Sequence, residues 1–544
     1  MHNVSTMFVH RPTKKVGKRT YQSVLLAESY REDGKVKRRT LANMTQWPAE
    51  MVDGVEALCH GGVVIKKDEL ATGTGQGFGL LYALKQLADR HHLTEALGNT
   101  RIARVALLMI FATICSPSSK QAVVKWAQDH AVKEILGIED LTVADVYDAC
   151  NWLSQNQEKI ENKLFKLRKC NSGHFYLYDT TSSYFEGKHN KLAAFGYNRD
   201  KKKGKLQVNY GMLTDEEGFP ITIEAFKGNT TDASAFSAQT LGLAQRFKIN
   251  KVAFIGDRGS LKAEQIAELK AVKKSTLYHV TALTKPQIQK LIKEGVLQLS
   301  VFDKDVHEVE HDGKRLLMRR NPIRAKEAAA DRKQRINVVV TKIQDRANKL
   351  KASKRALPCT AYNFAIILRH KLKVENFVKV ELCDRELTVS VADESVKQAE
   401  ALDGCYVVET DIPSSEATAQ EAHDRYKDLK FVEWAWQKMK TGHLEVRPIY
   451  LRKEKITRGH IFLKMLGYYL LRHLWLGVKD LPTLERPIEE TLRALKGIRT
   501  TRVIIRNITI ESVPEQLSET QTLVLRGLGV DFPKQKVLSA DMIA

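Results

Sequence analysis

At 544 residues the chain is longer than one hydrophobic core usually supports, so several domains are expected. Lysine and arginine number 87 against 64 aspartate and glutamate, which gives a formal net charge of +23. Such a field favours a polyanionic partner, and nucleic acid is the most common large one. A merely basic protein without such a partner is the alternative.

The cysteine pattern and the hydropathy argue against a secreted or membrane protein. The seven cysteines are scattered, and none forms a Cys-x-x-Cys pair, so neither a zinc module nor a disulfide framework is predicted. The stretch VALLMIFATIC is too short to span a bilayer, and the N-terminal sequence has no apolar signal region. We therefore expect a cytoplasmic protein that has free thiols and no membrane segment.

The first third of the chain divides into a strand-like and a helical part. Residues 1–60 are predicted to form a basic β unit, in which the turn EDGK joins two strands of a hairpin. Residues 61–170 are predicted to be helical, because apolar residues recur at spacings of three and four. Helical bundles of this kind often bind DNA, but packing alone explains the pattern equally well.

Residues 171–284 are predicted to form the first part of an α/β core. The apolar period switches to two in HFYLYDTT, LQVNYGMLTD and FPITIEAFKG, and a helix and the strand KVAFIGD follow. Two of these apolar runs close on an aspartate, Asp179 and Asp257. Because ligands of open sheets bind at the carboxyl ends of strands, both aspartates are candidate site residues. A turn-capping role is the alternative for each.

The remaining chain is predicted to contain an insertion, a return to the core and a terminal region. Residues 285–416 mix lysine-rich helices with strands and are interpreted as an insertion subdomain. Residues 417–476 are expected to complete the core with a long helix, about 417–440, and a following helix. Residues 477–544 form a C-terminal region for which dimerisation or DNA contact is the hypothesis.

The long helix carries three polar residues at a heptad spacing. Tyr426, Glu433 and Lys440 are seven residues apart, and seven steps return to within about 20° of the same helix face. An apolar stripe that includes Val432 and Trp436 lies beside them. The pattern fits either a carboxylate that projects into a cleft or a surface ion pair.

Three acidic residues that converge require a cation. Asp179, Asp257 and Glu433 cannot all remain ionised within a few ångströms of one another without one. Oxygen ligands favour Mg²⁺ or Mn²⁺, and two such ions about 3.5–4 Å apart activate the attacking oxygen and stabilise the leaving oxygen at a phosphodiester.

These motifs together resemble a known family. YDTTSSYFEG, FKGNTTD, FIGDRG and the Tyr426, Glu433, Lys440 spacing are similar to the DDE transposases of bacterial insertion sequences. The resemblance is to the cut-and-paste branch with a Tyr-Arg-Glu-Lys signature and a ribonuclease H-like core. Leu429 stands at the signature's arginine position, so that phosphate contact is absent or comes from another residue, such as Arg425 or Lys430.

The resemblance implies a fold and roles for the site residues. The fold is a ribonuclease H-like mixed sheet flanked by helices and interrupted by the insertion. Asp179, Asp257 and Glu433 would be the catalytic ligands of two Mg²⁺ or Mn²⁺ ions, with Asp179 bridging both. Tyr426 and Lys440 would contact phosphate near the transposon end.

Further basic and polar residues are weaker candidates. Most of them have a structural alternative, which is an ion pair for Arg447, solvation for the basic loop, helix capping for the GNTTD pair and packing for His460. The residues are Lys201, Lys202 and Lys203 of the loop RDKKKGK, Arg447 and His443 after the Glu433 helix, Asn229 and Asp232 of GNTTD, and His460.

The resemblance implies a DNA transposase of the bacterial cytoplasm that acts on double-stranded transposon ends and target DNA, as a homodimer in the synaptic complex. It would hydrolyse phosphodiesters at the ends and then join the freed 3′-OH to the target. A metal-dependent nuclease without strand transfer and a non-catalytic DNA-binding regulator are the competing hypotheses.

Overall fold

The structure is a computed structural model. Some parts of the sequence analysis fall outside the residues that the structure describes. They are the hairpin turn residue Asp33, Cys170 and residues 241–245 of the helix expected from Asp232. The described residues are 6–17, 19–32, 34–62, 69–168, 175–240, 246–247, 251–257, 263–270, 276–302, 305–440, 443–505, 508–514, 516–533 and 537–542.

Strands and helices are numbered in chain order. The strands are β1 Thr6–His10, β2 Thr13–Val16, β3 Arg19–Gln22, β4 Leu25–Glu32, β5 Lys35–Asn43, β6 Leu70–Gly77, β7 Phe175–Tyr184, β8 Gln207–Asp215, β9 Pro220–Lys227, β10 Lys251–Gly256, β11 Thr276–Ala282, β12 His307–His311, β13 Lys314–Arg320, β14 Val378–Cys383, β15 Glu386–Val391, β16 Cys405–Thr410, β17 Arg499–Ile505, β18 Ile508–Ser512 and β19 Val537–Met542.

A short 3-10 helix, Leu299–Val301, accompanies the α-helices. The α-helices are α1 Ala49–Cys59, α2 Gly79–Arg90, α3 Leu93–Leu97, α4 Arg101–Cys115, α5 Lys120–Gln128, α6 Val132–Leu136, α7 Val143–Leu167, α8 Asp232–Thr240, α9 Ala263–Lys270, α10 Lys285–Lys293, α11 Pro322–Ala352, α12 Pro358–Leu372, α13 Asp393–Ala401, α14 Ala419–Lys427, α15 Leu429–Lys440, α16 Glu454–Val478, α17 Pro487–Lys496 and α18 Glu519–Gly527.

One compact unit combines both ends of the chain. It comprises Met1–Gly79, Gly497–Glu519 and Asp531–Ala544. Strands β4 and β5 form the expected hairpin, with Glu32 opposite Lys35, and β6 pairs antiparallel with β17 in a sheet of order β19-β18-β17-β6. The sequence analysis placed β6 in a helical region, because its sequence LATGTGQG lacks apolar alternation.

The second unit, Leu80–Lys496 with Thr520–Val530, contains the largest sheet of the described residues. Its order is β12-β13-β16-β11-β10-β7-β8-β9. Strands β7, β10 and β11 run parallel, and the other neighbours are antiparallel. One face packs an apolar cluster that includes Tyr176, Tyr178, Phe236 and Phe254. The large mixed sheet with flanking helices agrees with the predicted mixed α/β class.

The ends of the expected insertion belong to this sheet. Strands β12, β13 and β16 extend it beyond β11, although all three lie within residues 285–416. The chain between Asn321 and Gly404 builds a core of its own, around residues such as Ile343, Leu350 and Val378. The apolar pattern of these strands is compatible with either a core sheet or an insertion. The sequence does not distinguish the two, because the pairing partners of the strands lie far away along the chain.

The helical part of the second unit is held by an apolar interior. Nearly the whole of α4 is buried, as expected for the VALLMIFATIC stretch. Helices α7 and α16 approach so closely that a Cβ on Gly459 would lie 1.9 Å from the Cys150 carbonyl oxygen. No single helix of the described ranges is long and apolar enough to cross a membrane, and only the pair α4 and α5, bent by 91°, passes by length and composition.

Six of the seven cysteines lie in the described part of the chain, and all six are free thiols, in agreement with the sequence. They are Cys59, Cys115, Cys150, Cys359, Cys383 and Cys405.

The chain leaves and re-enters the sheet at one narrow point. The Asn321 amide donates to the Gly404 carbonyl at 2.8 Å. Gly404 has a φ of +73°, and a Cβ there would lie 2.3 Å from the Asn321 carbonyl oxygen. A side chain is therefore excluded by backbone conformation and by space at once.

We predict that Gly404→Ala lowers the free energy of unfolding by about 2–4 kcal/mol, because overpacking adds to the left-handed backbone cost. Gly313→Ala is the matched control, since Gly313 has a φ of +68° but a Cβ would meet nothing within 4 Å. Urea denaturation of both variants measures the difference. Equal losses would show that the close approach to Asn321 does not constrain the junction.

Candidate active site

The sheet brings two of the predicted acidic residues side by side. Asp179 lies in β7 and Asp257 directly follows β10, one residue beyond the paired positions Tyr178 and Gly256. Neighbouring strands are about 4.8 Å apart, and residues at equivalent positions of parallel strands point to the same face. The two carboxylates therefore lie next to each other on one face of the sheet.

That face is opposite the apolar cluster. The Tyr178 ring packs edge-on against Phe236 of α8, with ring centroids 5.1 Å apart. Because successive side chains of a strand point to opposite faces, Asp179 points away from α8. The pair therefore lies on the other face of the sheet.

The surroundings of Asp179 disfavour its ionised form. Burial, followed by the neighbouring charge of Asp257, raises the pKa of the Asp179 carboxyl to about 7. The Thr180 amide, which donates to Oδ1 at 2.7 Å, and the charge of Arg199 oppose this shift. A cation placed beside Asp179 would therefore stabilise the ionised form of this carboxyl group.

The helix that carries Glu433 covers the same face of the sheet. Trp436 of α15 packs edge-on against Tyr210, with ring centroids 5.3 Å apart. Tyr210 stands opposite Thr181, which is two residues beyond Asp179 and shares its face. Val432 and Trp436 are buried as the apolar stripe predicted, and Glu433 is exposed.

The aspartates and Glu433 do not form a compact ligand set in this structure. Among the residues it describes, no group of three or more His, Cys, Asp or Glu side chains is close enough to hold a metal ion. The structure thus joins Asp179 to Asp257 and leaves Glu433 on the covering helix. A shared metal site of all three remains a prediction.

The expected single helix is two helices. Helix α14 ends at Lys427, Asp428 lies in a turn, and α15 begins at Leu429. The Asp428 amide bonds to the carbonyls of Asp424 and Arg425. Tyr426 therefore does not share an uninterrupted helix with Glu433 and Lys440. The sequence concealed the break, because neither glycine nor proline marks it.

Two of the predicted DNA-contacting residues meet a buried aspartate. Lys440 Nζ lies 3.2 Å from Asp200 Oδ1, and Arg447 pairs with the same oxygen. The Tyr184 amide donates to Asp200 Oδ2 at 3.1 Å, and the Asp200 side chain is 1% exposed. Desolvation, opposed by Asp200, lowers the pKa of Lys440. Both cations thus anchor the loop, and their contact with DNA remains a prediction.

The basic loop also supplies a residue that the sequence analysis missed. Arg199 lies 2.6 Å from Asp232 Oδ1 and donates to Thr180 Oγ1 at 3.1 Å, one residue from Asp179. Asp232 was expected to cap α8, but Thr231 does so by accepting the Ser234 amide at 3.2 Å. Asp200 and Arg199 adjoin three exposed lysines, so composition alone marked the loop as solvated.

The residues proposed to replace the signature arginine have other surroundings. Arg425 pairs with Glu216 and Asp428, each at 3.2 Å. Lys430 is exposed and lies 5.0 Å from the Phe431 ring.

The histidine candidates do not point to a metal site. His443 lies 3.3 Å from Glu489. Burial lowers the pKa of His460 well below its ordinary value, as for the packed histidine expected there.

Comparison with known proteins gives one family match. Residues 9–64 match the family described as IS1634 family transposase, N-terminal domain. No curated protein matches the chain.

A solved structure, the cryo-EM structure of the piggyBac transposase synaptic complex with hairpin DNA, shares 8% sequence identity. The match covers 77% of this chain and 76% of that one, with a TM-score of 0.35. A likeness at this score carries no argument about fold or function.

We predict that Asp200→Asn lowers the free energy of unfolding by about 3–5 kcal/mol, because it leaves Lys440 and Arg447 without their buried counter-charge. Asp89→Asn is the control, since Asp89 pairs with Lys85 at the surface and should change stability by less than about 1 kcal/mol. Urea unfolding followed by circular dichroism measures both. A similarly small loss in the two variants would refute the anchoring role of Asp200.

Proposed function

We propose that this protein is a DNA transposase that cleaves transposon ends and joins them to target DNA. The observation that carries the proposal is the pair Asp179 and Asp257, adjacent on one face of the sheet and covered by the helix of Glu433. The family match of residues 9–64 supports the same class of protein. The strand order β9-β8-β7-β10-β11, with β7, β10 and β11 parallel, supports a ribonuclease H-like core.

The chemistry of the donor set fits hard divalent cations. Asp179 and Asp257 offer carboxylate oxygens at adjacent positions. Burial and then the charge of Asp257 raise the pKa of Asp179, and a bound cation would stabilise the ionised form that both disfavour. These two residues, with Glu433 as a third ligand, would hold two Mg²⁺ or Mn²⁺ ions. When bound, the ions would activate the attacking oxygen and stabilise the leaving oxygen of an in-line displacement.

The residues around the pair would position the DNA strand. Arg199 is fixed by Asp232 and Thr180, and its charge acts on the neighbouring Asp179, so its guanidinium would be available to orient a phosphate there. The exposed lysines Lys201, Lys202 and Lys203 would neutralise the DNA backbone on the approach to the site. Tyr426 is proposed to contact the transposon end.

Hydrolysis and end joining would use the same carboxylates, because both are attacks by an oxygen on phosphorus. Double-stranded DNA ends, a target duplex, a second copy of the chain in the synaptic complex and a cytoplasmic location all belong to this proposal. A nuclease without strand transfer would use the same residues, so the products of the reaction separate the two functions.

We expect Asp179→Ala to reduce Mg²⁺-dependent cleavage of duplex DNA that carries terminal repeats by at least about 100-fold, since even changes to residues that only orient metal ligands reach that size. Asp345→Ala is the control, because Asp345 is exposed on α11, and it should leave the rate unchanged. Cleavage and joined products are resolved on denaturing gels. Undiminished cleavage in Asp179→Ala would refute the enzymatic assignment, and cleavage without joining by the parent chain would favour the nuclease.

The pH dependence of stability gives a second test. With a folded pKa of about 7 and an unfolded pKa of about 4, ionisation of Asp179 opposes folding. In EDTA the stability that protonated Asp179 contributes is fully present below about pH 4, and it is lost as the pH rises to about 7. We expect Asp179→Asn to remove that slope and to be more stable than the parent at pH 8.

Added Mg²⁺ should raise the melting temperature of the parent chain at pH 8 and have a much smaller effect on Asp179→Asn, because the cation binds the ionised carboxylate. Differential scanning fluorimetry across pH 4–8 measures both effects. Parallel pH profiles for the two chains would contradict the assigned environment of Asp179.

A further inference from the structure

Two exposed aromatic rings project from the loop that joins β7 to β8. Phe195 is 67% exposed and Tyr197 is 87% exposed, both in the connection between β7 and β8. Their exposure means that the rings add little to the stability of the fold. Single exposed aromatics need no explanation, but two within three residues and next to a basic run suggest a binding surface.

The backbone that presents these rings is fixed on both sides. Ala194 and Gln207 exchange two backbone hydrogen bonds, of 3.1 and 2.9 Å. Gly196 packs against the backbone of Gly228, whose carbonyl oxygen would lie 2.1 Å from a Cβ at position 196. The rings are therefore carried by an ordered segment, which lowers the entropy lost when they bind a partner.

The far end of the segment reaches β7 at Thr180, the residue after Asp179. Asn198 Oδ1 accepts the Asp200 amide at 2.9 Å. The Arg199 amide donates to Ser182 Oγ at 3.3 Å, and its guanidinium reaches Thr180. The segment therefore extends from the Ala194–Gln207 backbone pair to Ser182 and Thr180 of β7, and both rings lie within it.

The charge beside the rings indicates the chemistry of the partner. Lys201, Lys202 and Lys203 begin four residues after Tyr197 and are exposed, as are Lys188 and Lys191 before the rings. Aromatic rings flanked by cations suit a strand that has stackable bases and a charged backbone. A paired duplex hides the faces of its bases in the stack, so it offers the lysines a backbone but offers the rings no base.

We propose that Phe195 and Tyr197 form a stacking surface for unpaired bases of single-stranded DNA, with the adjacent lysines holding its backbone. The proposal rests on the proposed function only in identifying that strand as the one at the cleaved end. The two rings would hold unpaired nucleotides close to Asp179 during or after strand separation.

The test compares a double variant, Phe195→Leu with Tyr197→Leu, with its conservative counterpart, Phe195→Tyr with Tyr197→Phe. The first keeps apolar bulk but removes both rings, and the second keeps both rings. Fluorescence anisotropy measures the affinity for a labelled oligothymidine and for a blunt duplex, in EDTA so that no strand is cut. Because stacking contributes about 1–3 kcal/mol per base, each lost contact should weaken oligothymidine binding by about 5- to 150-fold.

We expect the double leucine variant to bind oligothymidine at least about 10-fold more weakly than the parent does. Its affinity for the duplex and the salt dependence of its binding should equal those of the parent. The conservative pair should bind both probes like the parent. Unchanged oligothymidine binding in the double leucine variant, or equal losses on both probes, would overturn the proposal.

A second comparison separates the surface from the lysines and from catalysis. Changing Lys201, Lys202 and Lys203 to glutamine should weaken the binding of both probes and reduce the salt dependence of that binding. Since binding is measured without metal, a chain that shows ring-dependent binding but cuts no DNA would refute the transposase function alone. A chain that cuts DNA but shows no ring-dependent binding would refute the stacking surface alone.

Discussion

The side-by-side placement of two carboxylates is the constraint on which the candidate site of the large sheet depends. Parallel pairing of β7 with β10 fixes Asp179 and Asp257 at neighbouring positions of one face, and no side-chain rotation moves them to opposite faces. Burial, to which the neighbouring charge of Asp257 adds, raises the pKa of Asp179 to about 7. An arrangement that opposes folding at neutral pH is expected where a cation or a proton has a function.

The surrounding structure supports this pair on several sides. Helix α15 lies over the same face through Trp436 and Tyr210, and thereby positions the segment that bears Glu433. Asp200 ties the loop between β7 and β8 to Lys440 and Arg447. The loop then carries Arg199 to Thr180 and presents two aromatic rings to solvent. One buried aspartate therefore links the carboxylate face to the surface that we assign to unpaired DNA.

Sequence patterns identified what depends on local order and missed what depends on distant pairing. An apolar run that closes on aspartate was enough to find Asp179 and Asp257, and helical spacing found the buried side of α15. The pairing of β6 with β17 joins residues more than 400 positions apart, and nothing in LATGTGQG indicates it. Asp200 was hidden in a lysine-rich run, because burial of a single carboxylate is decided by Lys440 and Arg447, which follow far along the chain.

In the function proposed above, Asp179 and Asp257 share a divalent cation. A crystal grown with Mn²⁺ and measured at a wavelength where manganese scatters anomalously tests it most directly. The account predicts an anomalous peak about 2.0–2.3 Å from carboxylate oxygens of both Asp179 and Asp257, with Glu433 drawn towards it. Full Mn²⁺ occupancy elsewhere in the protein, with no peak between these two carboxylates, would contradict the account.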